Sequence, residues 1–268
     1  MAVKRFLSLI ISSLRHDKMR MKIYDDSIHG CLSYAVGDQV SGAAVLIDPL
    51  NEIGSERYIL DLQDMGLRLK WIIETHLHAD HISCAHQISD LTGAPVVMGQ
   101  SSPVSFHFEP SSKLQEIHLG QLDFRIIDTP GHTSESVSII LTDRSRSSDP
   151  LAVFCGDLLF AGDVGRSDLA LTPEEERGMS ANSFRSLQKL MGLPDSVLLY
   201  PAHYGASKCG GIFMSGSQFS TIGFERRNNR FLSFKNEEDF WKFQSRFRKL
   251  EPEGVRIIRE RNITGSSK

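Results

Sequence analysis

Cysteine is scarce in this chain: Cys31, Cys84, Cys155 and Cys209 are four in 268 residues, and none forms a C-x-x-C pair. That excludes a disulfide framework and suits a reducing cytosol, so a cytoplasmic protein is expected. Long hydrophobic runs are lacking too. The apolar run Phe6 to Leu14 falls far short of the ~20 residues a bilayer span needs. No repeat of solenoid length occurs, and the one short polar tract, Arg144 to Asp149, reads as a loop. Charge of a single sign is missing as well, since a net charge of −3 gives no global pull toward nucleic acid or anionic membranes. Arginine does gather late in the chain, as in Arg226, Arg227, Arg230, Arg246 and Arg248. Glu225, Glu237, Glu238, Asp239 and Glu251 are interspersed with it. Such mixing reads as a solvated helical surface, not a nucleic-acid site.

What is present fits a soluble globular domain: 40% apolar and 24% charged residues support a substantial core. Residues 1–20 read as an N-terminal extension of open status. Lys4, Arg5, Arg15, Lys18 and Arg20 surround the apolar run there, and no small-residue cleavage site follows. Both a weak presequence and a true start at Met19 or Met21 fit it. Residues 21–268 read as one domain with a helical C-terminal segment.

Along that domain, Tyr34 to Asp48 gives two apolar, β-branched strands broken at Gly37 and Gly42. Ile53, Tyr58, Ile59, Leu62 and Met65 recur at helical spacing before Gly66. Leu69 to Glu74 is a short buried strand, and Ile82 to Leu91 reads as a helix capped by Gly93. Further strands are expected at 95–98, 116–119, 122–127, 137–142, 151–155 and 197–200, with a helix over about 183–191. This order suits two packed sheets with helices outside better than one parallel sheet, an α+β fold.

Four motifs fall at strand ends. Thr75-His76-Leu77-His78-Ala79-Asp80-His81 follows the strand ending at Glu74, and Pro130-Gly131-His132 sits on a tight loop. Asp157 follows Cys155-Gly156, and His203 follows Tyr200-Pro201-Ala202. Neutral imidazoles with carboxylates are the ligand set of borderline first-row metals. Any one of these histidines alone would pass for a surface or capping residue. Together, at the ends of four strands, His76, His78, Asp80, His81, His132, Asp157 and His203 can be collected on one rim as a metal site.

With these motifs in place, the chain from about Met21 to Leu250 resembles the metallo-β-lactamase superfamily. The resemblance implies a four-layer αββα sandwich with metal at the edge of the sheets. Two branches differ in chemistry. In the hydrolases, two Zn(II) ions use all seven ligands, with the residue matching Asp157 as a bridge, and lower the pKa of a bound water to about 7. In the persulfide dioxygenases, one Fe(II) per chain sits on residues matching His76, His132 and Asp157, a two-His, one-carboxylate triad with room for O2 and substrate.

The segments His78-Ala79-Asp80-His81-Ile82-Ser83, Gly156 to Leu169, Pro201 to Gly210 and Ser220 to Asn229 are similar to the dioxygenase branch. They look most like proteins fused to a rhodanese domain, which would begin near Asn262 to Gly265. The chain therefore looks like the dioxygenase half, with a small-molecule persulfide and O2 as partners and rhodanese as a further one. Homo-oligomerisation stays open. The resemblance implies that His78, Asp80, His81 and His203 surround the metal ligands and orient substrate. Arg166 suits a glutathione-like carboxylate, or else an ion pair with Asp168. Tyr204 suits the pocket wall or plain packing. Cys209 suits transient sulfane-sulfur carriage or an inert buried thiol. The alternatives are a dinuclear zinc hydrolase of thioesters or lactones and, in another class, a non-catalytic metal-binding sulfur-transfer partner.

Overall fold

The computed structural model describes residues 19–169, 172–205, 207, 209–248 and 254–266. The basic and apolar stretch of residues 1–18 lies outside the described residues, as do Ala206 and Lys208 of the His203 motif. Strands β1 (Met19–Asp26), β2 (Cys31–Asp38), β3 (Ala43–Ile47), β4 (Arg68–Ile73), β5 (Val96–Met98) and β6 (Glu109–Pro110) form a six-stranded sheet in that order. The second sheet is built from β7 (Glu116–Leu119), β8 (Leu122–Asp128), β9 (Val137–Asp143), β10 (Ala152–Phe154), β13 (Leu198–Tyr200) and β14 (Ser220–Thr221). Its six strands run β14-β13-β10-β9-β8-β7, and a small hairpin of β11 (Leu159–Phe160) and β12 (Asp163–Val164) stands apart.

Alternation along the central strands explains the layering. In β3, Ala43, Val45 and Ile47 face the second sheet, while Ala44 and Leu46 face outward onto helices. Those helices are α1 (Ser55–Asp64), through Tyr58 and Leu62, and α2 (Ala85–Thr92), through Ala85 and Ile88. The inner layer meets Phe124, Ile126, Ile139 and Phe154 of the second sheet. That sheet's outer face packs Val153 and Leu199 under Leu187 and Leu190 of α3 (Pro173–Met191) and Phe240 of α5 (Glu237–Gln244). The other α-helices among the described residues are α4 (Ile222–Asn228) and α6 (Val255–Thr264). The layers thus read helix, sheet, sheet, helix, the αββα sandwich expected. No helix among the described residues is long and apolar enough to cross a membrane.

Three boundaries depart from the sequence reading. Strand β1 begins at Met19, so Met19 and Met21 lie within it and pair with Asp38 and Val36. Helix α2 starts at Ala85, not Ile82, because Ile82 to Cys84 pair instead with the 49–51 segment. Asn51 N donates to the Ile82 carbonyl and Cys84 N to that of Pro49.

Helix α3 starts at Pro173, ahead of the expected 183. Its first half shows no apolar periodicity because its contact residues are small and polar: Ser180, Ser183 and Ser186 are buried. There the His132 loop comes close, and Gly131, at φ +155°, sits where a Cβ would lie 2.5 Å from the Ser183 Cα. What starts α3 is local chemistry. Thr172 accepts from Glu175 N at 3.2 Å, Glu175 accepts from Thr172 N at 2.9 Å, and proline follows the cap.

Thr172→Ala should cost about 0.5–2 kcal/mol through loss of that cap. Urea unfolding should show a lowered midpoint with an unchanged slope. A midpoint equal to the parent's would mean that the cap contributes nothing.

Candidate metal centre

Each cluster residue is delivered by the end of a strand. His76, His78, Asp80 and His81 follow β4, His132 follows β8, Asp157 follows β10 and His203 follows β13. Backbone bonds tie these loops across the two sheets: Val137 N donates to the Thr75 carbonyl at 2.8 Å, and Leu32 N to the Ala202 carbonyl at 2.7 Å.

His76, His132 and Asp157 form one buried group whose ligand atoms lie within 4.8 Å of one another. Asp157 Oδ2 stands 3.6 Å from His76 Nε2 and 3.4 Å from His132 Nε2. The opposite ring nitrogens are already engaged. His76 Nδ1 donates to Thr75 Oγ1 at 2.9 Å, and Thr75 Oγ1 donates on to Asp48 Oδ2 at 2.8 Å. His132 Nδ1 donates to the Arg166 carbonyl at 2.8 Å. With the ring protons placed there, both Nε2 atoms turn lone pairs toward a carboxylate oxygen.

His76 Nε2 and Asp157 Oδ2 are buried with no hydrogen-bond partner. Protonation of His76 does not relieve this, because burial and the neighbouring His78 ring hold its imidazole well below the usual histidine range. Burial raises Asp157, yet His203 and His76 more than offset it and keep the carboxyl far below the usual carboxylate range. Converging lone pairs beside a carboxylate anion in a dry pocket suit a cation. The residues fit a metal.

His203 lies between two carboxylates, with Nδ1 2.6 Å from Asp157 Oδ1 and Nε2 2.6 Å from Asp80 Oδ2. Burial opposes its charge, but Asp157 and Asp80 prevail and raise it well above the usual range. His78 lies with its ring 4.2 Å from that of His76; its Nε2 donates to Glu74 Oε2 at 3.0 Å and approaches Asp48 Oδ1 at 3.3 Å, and its Nδ1 is buried without a partner. Asp80, His81 and His203 form a second group within 4.8 Å that takes in Cys31. Neither nitrogen of His81 has a hydrogen-bond partner there.

The outer candidates fare differently. Arg166 directs its fork at Asp168, with Nε 2.5 Å from Oδ1 and Nη2 3.0 Å from Oδ2, and both side chains are largely buried. Arg166 also reaches the centre through its backbone carbonyl. The Tyr204 hydroxyl donates to Asp25 at 2.8 Å on the exposed side. Cys209 does come in: its sulfur groups with Asp157 and His203, and burial pushes its thiol well up.

Several participants escape sequence reasoning. Asp48 ends β3's connection at φ +49° and supports Thr75, which no spacing rule reveals. Glu74 closes the segment read as a buried strand and holds His78 and Ser83. Cys31 joins through an isolated bridge with His203 and stands 3.6 Å from Asp80 Oδ2. Asn262 arrives from the far end of the chain.

A family model described as Metallo-beta-lactamase superfamily matches residues 28–203. Persulfide dioxygenase ETHE1, mitochondrial, from Homo sapiens is 31% identical over 218 residues, spanning 77% of this chain and 73% of that protein. Among solved structures, a metallo-beta-lactamase from Staphylococcus aureus subsp. aureus COL matches at TM-score 0.82 and 29% identity. That match covers 92% of this chain and 73% of the other. ETHE1 from Myxococcus xanthus matches at TM-score 0.77 and 27% identity, covering 92% and 99%. Two sheets, a strand-end ligand set and these relatives lead to one conclusion: the chain belongs to the metallo-β-lactamase superfamily, with persulfide dioxygenases among its relatives.

Proposed function

We propose that the protein is a persulfide dioxygenase acting on a low-molecular-weight, glutathione-like persulfide. In that reaction RSSH, O2 and H2O give RSH, sulfite and two protons. The observation that carries this reading is the meeting of two imidazole Nε2 atoms and one carboxylate oxygen in a single buried group. Meanwhile His78 is engaged by Glu74 and Asp48. Two histidines and one carboxylate are the ligand set of non-haem Fe(II) oxygenases. Held by His76, His132 and Asp157, Fe(II) would supply the redox chemistry joining O2 to the terminal sulfur.

The chain's own residues hold and orient. Thr75 and the Arg166 carbonyl fix the ligand rings. His203 grips Asp157 Oδ1, leaving Oδ2 turned to the histidines. Cys209 lies near enough to receive a sulfane sulfur, but its raised thiol keeps it protonated and unreactive at rest. A second reading, a dinuclear zinc hydrolase of thioesters or lactones, draws on the Asp80, His81 and His203 group with its two unpartnered His81 nitrogens.

Protein made in iron-supplemented medium should hold close to one iron per chain, and Asp157→Ala should abolish binding by removing the triad's carboxylate. Two tightly held zinc ions per chain with activity intact would overturn the assignment.

Oxygen uptake should depend on an added persulfide and yield sulfite, while lactoylglutathione and simple lactones turn over poorly. An oxygen electrode and a thioester assay on one preparation decide this. Rapid thioester hydrolysis without oxygen uptake would give the case to the hydrolase.

Arg166→Ala should remove the largely buried charged pair with Asp168 and lower stability by about 1.5–3 kcal/mol, the worth of a charged hydrogen bond. Arg166→Lys should rescue only in part, because an ammonium cannot reproduce the fork. Turnover of a glutathione persulfide and of one lacking the glycine carboxylate should fall by the same factor. A loss of roughly ten- to a hundredfold in kcat/KM confined to the carboxylate-bearing substrate would restore the substrate-binding role.

A further inference from the structure

The loop from His76 to Ser83 has little regular structure, yet most of it is buried, so its backbone groups need partners from elsewhere. Three of those partners come from one side chain at the other end of the chain. Asn262 Nδ2 donates to the His78 carbonyl at 2.9 Å and to the His81 carbonyl at 2.9 Å. Its Oδ1 accepts from Ser83 N at 3.0 Å. An amide offers two donors and an acceptor on one rigid plane, which is what two carbonyls and an N–H require.

Helix α6 is not seated there by apolar packing. Its buried residues are Val255 and Asn262, and Ile257 is 65% exposed. Past Asn262, the Ile263 carbonyl accepts from Ser105 N at 2.8 Å and from Ser105 Oγ at 3.1 Å. Beside the buried Val255, the polar contacts of α6 thus fall on the ligand-bearing loop and on Ser105.

We propose that Asn262 is a positioning residue for the metal centre. It clamps the His76 to Ser83 loop from the C-terminal helix and holds that loop in its metal-binding conformation. The inference rests on reading His76, His132 and Asp157 as a metal site. Without the clamp, two carbonyls and one amide lose their partners, and the loop relaxes toward conformers in which His76 no longer faces the Asp157 carboxylate.

The test uses the full chain, stripped of metal, with Zn(II) affinity read by chelator competition and Fe(II) affinity read anaerobically. Asn262→Leu keeps the bulk, excludes water and removes all three bonds. It should weaken both metals by about ten- to a hundredfold, the usual effect of losing an outer partner of a metal ligand. Amide exchange at Ser83 in the metal-free variant should speed up. Asn262→Ala leaves room for water to take over some of the bonds, so it should fold readily and lose affinity less. If Asn262→Leu does not accumulate, Asn262→Ala decides. A folded Asn262→Leu that binds metal like the parent, or in its absence an Asn262→Ala with parental affinity and parental Ser83 exchange, overturns the clamp alone. A parent protein that takes up neither metal would sink the metal reading, and the clamp with it.

Discussion

Two imidazole lone pairs and a carboxylate anion aimed at one buried point need a positive charge between them, and much of the surrounding structure answers to that constraint. Left free, His76, His132 and Asp157 would rotate apart or take up protons. Their orientation is held, because the far side of each group is occupied. Thr75 and Asp48 hold His76, the Arg166 carbonyl holds His132, and His203 holds Asp157 Oδ1. Each partner fixes both orientation and proton position, so the converging atoms are the ones left without protons. The loop carrying Arg166 must run close behind the ligands to do this. Gly165 lets it, since a Cβ there would lie 1.7 Å from the Asp157 carbonyl oxygen.

The sandwich turns this local geometry into a long-range one. His76 leaves the end of β4 in the first sheet, while His132 and Asp157 leave β8 and β10 in the second. A cation on the triad would therefore link the two sheets at one rim. The interior beneath that rim is a continuous apolar layer, from Leu32 and Tyr34 across to Phe124 and Phe154. That layer fixes the spacing of the sheets independently of metal. Ligand atoms arrive already close, at 3.4 and 3.6 Å, so a metal loses less to reorganisation on binding. Binding energy and folding energy are then coupled across the sheets.

Much of this was legible in the sequence because metal ligands obey a chemical alphabet and strand ends a structural one. His76, His132, Asp157 and His203 each follow a short apolar segment that reads as a strand. The fold class followed from the order of those segments. What stayed hidden was of two kinds. Helix α3 lacks apolar periodicity in its first half, where Ser180 and Ser183 make the contacts, so a pattern search begins too late although Thr172 to Glu175 announces the start. Supporting residues such as Asp48, Glu74, Cys31 and Asn262 are drawn in by tertiary contact alone. Nothing in their neighbourhoods distinguishes Asn262 from any surface asparagine on a charged helix. Arg166 shows the converse limit. Its sequence setting fits two roles equally, and the structure shows it paired with Asp168.

A proton network surrounds the triad. The buried carboxylates Asp48, Glu74 and Asp157, with the half-buried Asp80, are interleaved with His78, His81 and His203. Glu74 and Asp48 raise His78 well above the usual range, and Asp80 brings His81 to about 9, in both cases against burial. His203 links this network to the triad, with Nδ1 on Asp157 Oδ1. A second cation on Asp80, His81 and His203 would meet His203 at Nε2, the atom 2.6 Å from Asp80 Oδ2, and leave Nδ1 on Asp157 Oδ1. Through that bond His203, which reads as a further ligand in the sequence, also aims the carboxylate of the triad in this fold.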